Sequence, residues 1–255
     1  MKSASEQTQQ DHYNRIAAEY AAHYGDAWSQ VYRRRFINIP AFAGIPLQGA
    51  QVLEAMSGSG ATTAFLKERG AIVSALDISE EEIARFRELW SDCDAHCVSI
   101  LNTGLPDNAY DVVVVMGGLH HVHPHLNEAV REIHRILKPG GYFCFVEPHK
   151  GAFLDVLRRH WYRADRYFLE NEESIDLCQM QVDFSRSFEF IRETFGGNIA
   201  YLLVLNSLVL RVPLWLKPFI SPFAIWVESW VRVLQGKTTS CFVIGQWRKR
   251  NHEIL

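Results

Sequence analysis

The chain has 255 residues, 48% of them hydrophobic and 22% charged, a composition with enough apolar side chain for a sizeable folded core. Its formal charge of -3 offers no general field to attract a phosphate backbone, so no nucleic-acid partner is expected. The cysteines are odd in number and form no C-x-x-C pair, and the polar start "MKSASEQTQQDHYNR" lacks the apolar stretch of a signal peptide; a reducing, cytoplasmic setting without a disulfide framework is expected.

Short β-rich runs alternate with longer helical patterns, which predicts a parallel sheet with crossover helices. "QVLEA" (51–55) reads as the first strand, "ATTAFLKERG" (61–70) as a helix stopped by Gly70, and "AIVSALD" (71–77) as the second strand. "SEEEIARFRELW" (79–90) opens with Ser79 as N-cap and acidic residues in its first turn. "AHCVSI" (95–100) is a third strand, and "DVVVVM" (111–116) is the continuous apolar run of a strand buried on both faces. "LNEAVREIHRIL" (126–137) has helical spacing, "KPGG" breaks it, and "YFCFVEP" (142–148) is the next strand. Beyond a polar aromatic stretch (158–183), "SRSFEFIRETFGG" (185–197) predicts a helix and 199–205 a strand. An apolar block runs to about 235, part of it expected as a core strand, and "SCFVIGQW" (240–247) closes the sheet.

The loop "VLEAMSGSGATT" joins the first strand to the first helix, where an open α/β sheet binds ligands. Gly58 and Gly60 let backbone approach a ligand closely. Glu54 stands just ahead of them, and Asp77 ends strand two, placed to accept hydrogen bonds from a ribose diol. A dinucleotide would want a glycine at Thr63 and would gain nothing from a carboxylate beside its pyrophosphate, which disfavours a nicotinamide-dependent oxidoreductase. S-adenosylmethionine carries an ammonium and a ribose but no phosphate, and fits these charges.

Five stretches in order, "YNRIAAEYAAHY", "VLEAMSGSG", "ALDIS", "LPDNAYDVVVVMGGLHHV" and "REIHRILKPGGYFCFVEP", resemble class I S-adenosylmethionine-dependent methyltransferases of the small-molecule group that includes quinone-biosynthesis and sugar O-methyltransferases. The closing "FVIGQWRK" is also similar to that family's last strand. The resemblance implies an α/β, Rossmann-like seven-stranded sheet with an antiparallel last strand and helices on both faces. It implies N-terminal lid helices over 1–40 and a methyltransferase domain over 41–255, with a substrate cap at about 151–183 and an apolar insertion at about 206–236. Glu54 and Gly58 would face the methionine end of the cofactor, with Gly60 in the same cofactor-binding loop, Asp77 and Ile78 the ribose and adenine, and Met116 and Gly117 the methyl-sulfonium. Tyr13 and Tyr20 would close over it. Two positions depart from the family pattern: Met56 replaces a glycine, and Ser99, next to Ile100, replaces an aspartate near the adenine. A left-handed backbone at 56 would cost a non-glycine residue about 1–2 kcal/mol, so ordinary dihedrals are expected there.

"GGLHHVHPHL" (117–126) places His120, His121, His123 and His125 just after strand four. Pro124 and the helix start leave no strand to align three imidazoles, so no metal site is expected. A hydroxyl acceptor would profit from a base near neutral pKa. His121 is the candidate base, Glu147 its orienting carboxylate and His120 an assistant, against the plainer reading that this loop only packs. The acceptor is a small molecule, with a lipid-linked one suggested by the aromatic, basic segment "YLLVLNSLVLRVPLWLKPFISPFAIWVESWVRVL" (201–234). Prolines and charges interrupt that segment too often for a span, so it is expected to rest on a bilayer surface or pack as a cap. A non-enzymatic cofactor-binding partner is the alternative function.

Overall fold

The computed structural model describes residues 22–152 and 173–251. The seven strands are β1 (Gln51–Ala55), β2 (Ile72–Asp77), β3 (Asp94–Cys97), β4 (Tyr110–Met116), β5 (Leu137–Pro148), β6 (Phe188–Gly196) and β7 (Phe242–Lys249). They form one sheet in the order β3-β2-β1-β4-β5-β7-β6. β1 to β5 pair in parallel, and β7 runs antiparallel to both β5 and β6. This is the Rossmann-like methyltransferase sheet with its antiparallel last strand. The strand order reverses between β1 and β4, so both strands open their carboxyl ends onto one crevice.

Side-chain alternation divides the core. Val112, Val114, Cys144 and Val146 pack on one face with Phe65, Leu66 and Ile225, while Val113, Val115, Phe143 and Phe145 pack on the other with Ile133 and Trp247. Burial on both faces explains why "DVVVVM" carries no polar alternation. The helices are α1 (Ala27–Tyr32), which runs on as a π-helix over Arg33–Asn38, then α2 (Thr63–Lys67), α3 (Glu80–Leu89), α4 (Leu126–Ile136), α5 (Leu177–Phe184) and α6 (Lys217–Val231). Ser79 caps α3 as expected, its hydroxyl accepting the Glu82 N–H at 3.2 Å.

The second half departs from the sequence reading in three places. Residues 188–196 are strand β6, not a helix. Its register shifts between Phe190 and Arg192, a bulge that disrupts the period-2 pattern, yet Phe188 and Phe190 still meet Trp247 at 5.7 and 4.7 Å between ring centroids. Residues 201–205 form a π-helical turn rather than a strand; a short apolar run looks alike in a strand and in a buried turn. The apolar block supplies no core strand either: Leu214–Leu216, α6 and Arg232–Leu234 are helical, and among the described residues no helix is long and apolar enough to cross a membrane.

Candidate active site

A cavity of about 610 Å³ opens at the carboxyl ends of β1, β2 and β4. Its wall brings together Glu54, Met56, Gly58, Gly60, Asp77, Ile78, Ser99, Ile100, Met116, Gly117 and His121. Tyr13 and Tyr20 lie outside the described residues.

The glycine loop is held from below by two carboxylates. Glu54, 2% exposed, accepts the Thr62 N–H at 2.9 Å and the Thr63 hydroxyl at 2.6 Å. Burial raises its pKa against the pull of those donors. Thr63, at the position where a dinucleotide site would want glycine, is therefore the loop's tie to β1. Asp77 accepts the Gly58 N–H at 2.8 Å and the Ser79 N–H at 2.9 Å, and burial raises its pKa also. Both carboxylates are thus engaged with the loop itself while lining the cavity. Gly60 has a φ of +88°, and a Cβ there would come within 2.7 Å of Thr63 Oγ1 and Trp90 Nε1, so only glycine fits the turn.

Met56 corrects an expectation: its φ is +54°, the left-handed region rather than ordinary dihedrals. The side chain crosses toward the opposite loop, where a Cβ on Gly118 would lie 2.8 Å from its Sδ. Met56 therefore holds a backbone conformation that glycine takes more readily and occupies space between the β1 and β4 loops. Ser99 uses its hydroxyl locally, accepting the Leu101 N–H at 3.1 Å.

Behind the wall that His121 contributes, the histidine loop wraps around Glu147; neither Glu147 nor His120 lines the cavity itself. Glu147 is 0% exposed. Its Oε1 accepts the N–H groups of Gly118 and Leu119, both at 2.7 Å; Oε2 faces His120 Nδ1 at 2.7 Å and the His120 N–H at 3.3 Å. Burial pushes the carboxyl up to about 7, against the opposing pull of the backbone donors and of His121. The carboxylate expected beside His121 thus bonds His120. The two imidazoles pack with ring centroids 3.8 Å apart, and a charge on His121 is felt by both Glu147 and Asp77. His125 Nδ1 sits 3.0 Å from Glu128 Oε1. Among the described residues no three His, Cys, Asp or Glu side chains group so as to hold a metal.

Sequence reasoning missed several wall residues. Tyr24, Gln30 and Arg33 reach the cavity from α1 and its flanks, and Glu82 and Trp90 from α3. Glu82 was legible as the fourth residue of the "SEEE" start, one turn above the Asp77 strand end; burial raises its pKa. Trp90 donates from Nε1 to the Ser59 carbonyl at 3.2 Å, a contact that no local pattern encodes.

The sheet order, the glycine loop and its acidic partners are those that the resemblance to class I S-adenosylmethionine-dependent methyltransferases implies. Residues 53–145 match the methyltransferase domain family model. The chain is 33% identical over 105 residues to an uncharacterized methyltransferase of Synechocystis sp., covering 40% of this chain and 49% of that protein. It is 30% identical over 108 residues to a demethylmenaquinone methyltransferase of Listeria monocytogenes, covering 39% and 45%. The chain thus aligns with about half the length of the curated relatives it matches. Among solved structures, a SAM-dependent methyltransferase from Archaeoglobus fulgidus shares the fold with a TM-score of 0.61 and 16% identity over 91% of this chain and 99% of that one.

The residues present fit the cofactor. Three carboxylates, Glu54, Asp77 and Glu82, line the cavity around the glycine loop, an acceptor set that suits an ammonium and a ribose diol and would repel a pyrophosphate. The cavity volume is in the range of small-molecule sites.

Proposed function

We propose that the chain transfers a methyl group from S-adenosylmethionine to a small-molecule hydroxyl, on a lipid-linked, sugar or quinone type of acceptor, at the cytoplasmic side of a membrane. The observation that carries this reading is the convergence, on one cavity, of the acidic glycine loop with His121. When bound, the cofactor supplies an electrophilic methyl group on a sulfonium.

Each side chain has a proposed task. Asp77 accepts the ribose hydroxyls, and Ile78, Ser99 and Ile100 hold the adenine. Glu54, tied to Thr62 and Thr63 behind the glycine turn, favours the ammonium, with Gly58, Gly60 and Met56 beside it. Arg33 meets the cofactor carboxylate, and Met116 and Gly117 flank the sulfonium. Residues 1–40, with Tyr13 and Tyr20, act as the lid of the 41–255 domain, and the cap at 151–183 borders the acceptor.

His121 takes the proton from the acceptor hydroxyl. His120, fixed by Glu147, supports its ring, and the two carboxylates within its field favour the imidazolium that forms. Such a base contributes about 10²–10⁴-fold, on top of the larger gain from alignment.

The test is calorimetric titration of S-adenosylhomocysteine into chelator-treated protein, followed by transfer of labelled methyl groups into a lipid extract. Binding near one-to-one, weakened strongly by Asp77→Asn, with label entering a lipid-soluble product, is expected. Absence of binding would overturn the reading; binding without transfer to any extract would favour a cofactor-binding partner protein.

A further inference from the structure

Helix α6 has two unlike faces. Its inner face carries two buried ionic anchors. Lys217 donates to the His23 carbonyl at 2.8 Å, to Ser29 Oγ at 2.9 Å and to Asp26. Glu228 accepts the N–H groups of Asn198 and Ala200 at 2.8 and 3.0 Å and the Tyr32 hydroxyl at 3.3 Å. The helix is thereby fastened to the 23–32 segment, whose neighbours Tyr24, Gln30 and Arg33 line the cofactor cavity.

The outer face is aromatic and open to solvent. Trp215 is 71% exposed, Phe219 75%, Phe223 68%, Trp226 58% and Trp230 68%. Steps of four, four, three and four residues keep them on one stripe, which Val233 (85%) and Leu234 (75%) extend. Phe223 stacks on Trp226, and Trp226 meets Trp230 edge-on. A continuous apolar patch of this kind marks an interaction surface.

Charge selects the occupant. Between residues 213 and 237 the one acidic residue is Glu228, and it is buried. Arg211, Arg232 and Lys237 are exposed, and Arg35 shares a groove of about 420 Å³ with Trp226 and Trp230. An aromatic stripe edged by cations, with no exposed carboxylate of its own between residues 213 and 237 and with Asp176 and Glu193 near it only at the Lys237 end, matches an interfacial helix on anionic lipid. Two copies meeting through this face would bring like charges together across a two-fold axis. At 15 residues the helix is about 22 Å long, shorter than the ~30 Å hydrocarbon layer, so it suits lying on a bilayer.

We propose that α6 docks the protein on an anionic lipid bilayer, its tryptophans and phenylalanines at the acyl boundary and Arg35, Arg211, Arg232 and Lys237 among the headgroups. Through Lys217 and Glu228 the docked helix also fixes the cavity wall relative to the bilayer. That the acceptor arrives from the membrane is the part that rests on the proposed methyl transfer.

The test is flotation of the full-length chain with phosphatidylglycerol–phosphatidylcholine vesicles and with phosphatidylcholine alone. Binding to the anionic vesicles is expected, at least about tenfold weaker on neutral vesicles and in high salt. It should fall at least about tenfold in Trp226→Glu/Trp230→Glu, with S-adenosylhomocysteine binding unchanged. Quenching of wild-type tryptophan fluorescence by brominated lipid tests the same contact without a variant. Wild-type protein that neither floats nor is quenched at low salt would overturn the proposal, as would a solution dimer that the double variant dissociates, which assigns the stripe to a second copy. Failure to bind S-adenosylhomocysteine while floating normally would strike the transfer reading and leave the docking intact.

Discussion

Glu147 binds His120, not His121: its Oε2 lies 2.7 Å from His120 Nδ1, while its carboxylate gathers the N–H groups of residues 118, 119 and 120. One buried acid therefore shapes the loop and orients one of its four imidazoles. Its carboxyl is raised from the ordinary value near 4.5 to about 7. The protonated form is favoured by folding, so the associated stability is fully present below about pH 4.5 and is lost as pH rises through about 7. The proposed catalysis by an oriented imidazole has the opposite need. Glu147→Gln should melt higher than wild type at pH 8 with little difference at pH 4, and should lower kcat about 100-fold with KM for the cofactor unchanged. Thermal melts at both pH values and a kcat–pH profile check this; an unchanged kcat would remove the acid from the chemistry.

Thr63 is the tie between the glycine loop and β1, through its 2.6 Å hydrogen bond to Glu54. Thr63→Val keeps the shape and removes the donor, leaving a buried carboxylate short of a partner. A loss of about 1–3 kcal/mol in stability is expected, with weaker S-adenosylhomocysteine binding because the loop loosens. Thr63→Ser should restore both. Chemical denaturation and calorimetry on the two variants separate the hydroxyl from the methyl.

Much of this site was readable from residues 51–148, because each wall there is the end of a buried strand and its loop begins at the strand's last apolar residue. That logic leads to Asp77, which lines the cavity. The pairing of Glu147 with His120 rather than His121 was not readable, since the two imidazoles of one 3-10 turn (Leu119–His121) lie against each other, and sequence does not specify which of them meets the carboxylate. Strand β6 was hidden by its bulge at Phe190/Arg192 and by its position at the sheet edge, where charged side chains replace apolar alternation. Trp90 and Arg33 reach the cavity through tertiary packing, for which no local periodicity exists.

Met56 and Gly118 face each other across the crevice. A methyl group on Gly118 would meet Met56 Sδ at 2.8 Å, Met56 Cβ at 2.9 Å and Val115 Cγ1 at 2.9 Å. Gly118→Ala should therefore destabilise the protein by about 1–3 kcal/mol through overpacking. Met56→Gly relieves a left-handed backbone worth about 1–2 kcal/mol and removes two of the three clashing atoms. The double variant should recover part of the Gly118→Ala loss, a coupling that strict additivity of the two single changes in denaturation experiments would disprove.

Glu132 on α4 stitches the loop that carries Ser99 and Ile100. It accepts the Thr103 N–H at 2.9 Å and the Thr103 hydroxyl at 2.6 Å, and Arg135 donates to it at 2.6 and 2.8 Å. The Arg135 guanidinium beside it holds the carboxyl down at about 2. Here the sign is the reverse of Glu147. The stability is present above the ordinary carboxylate value near 4.5 and is lost as pH falls from there toward about 2. Glu132→Gln should therefore melt lower than wild type at pH 7, and the gap should close as both are titrated below about pH 3. Because the same loop borders the cavity, S-adenosylhomocysteine affinity should drop with it at pH 7. A gap in melting temperature that stays constant across the acid range would mean that the carboxylate's charge contributes nothing to holding this loop.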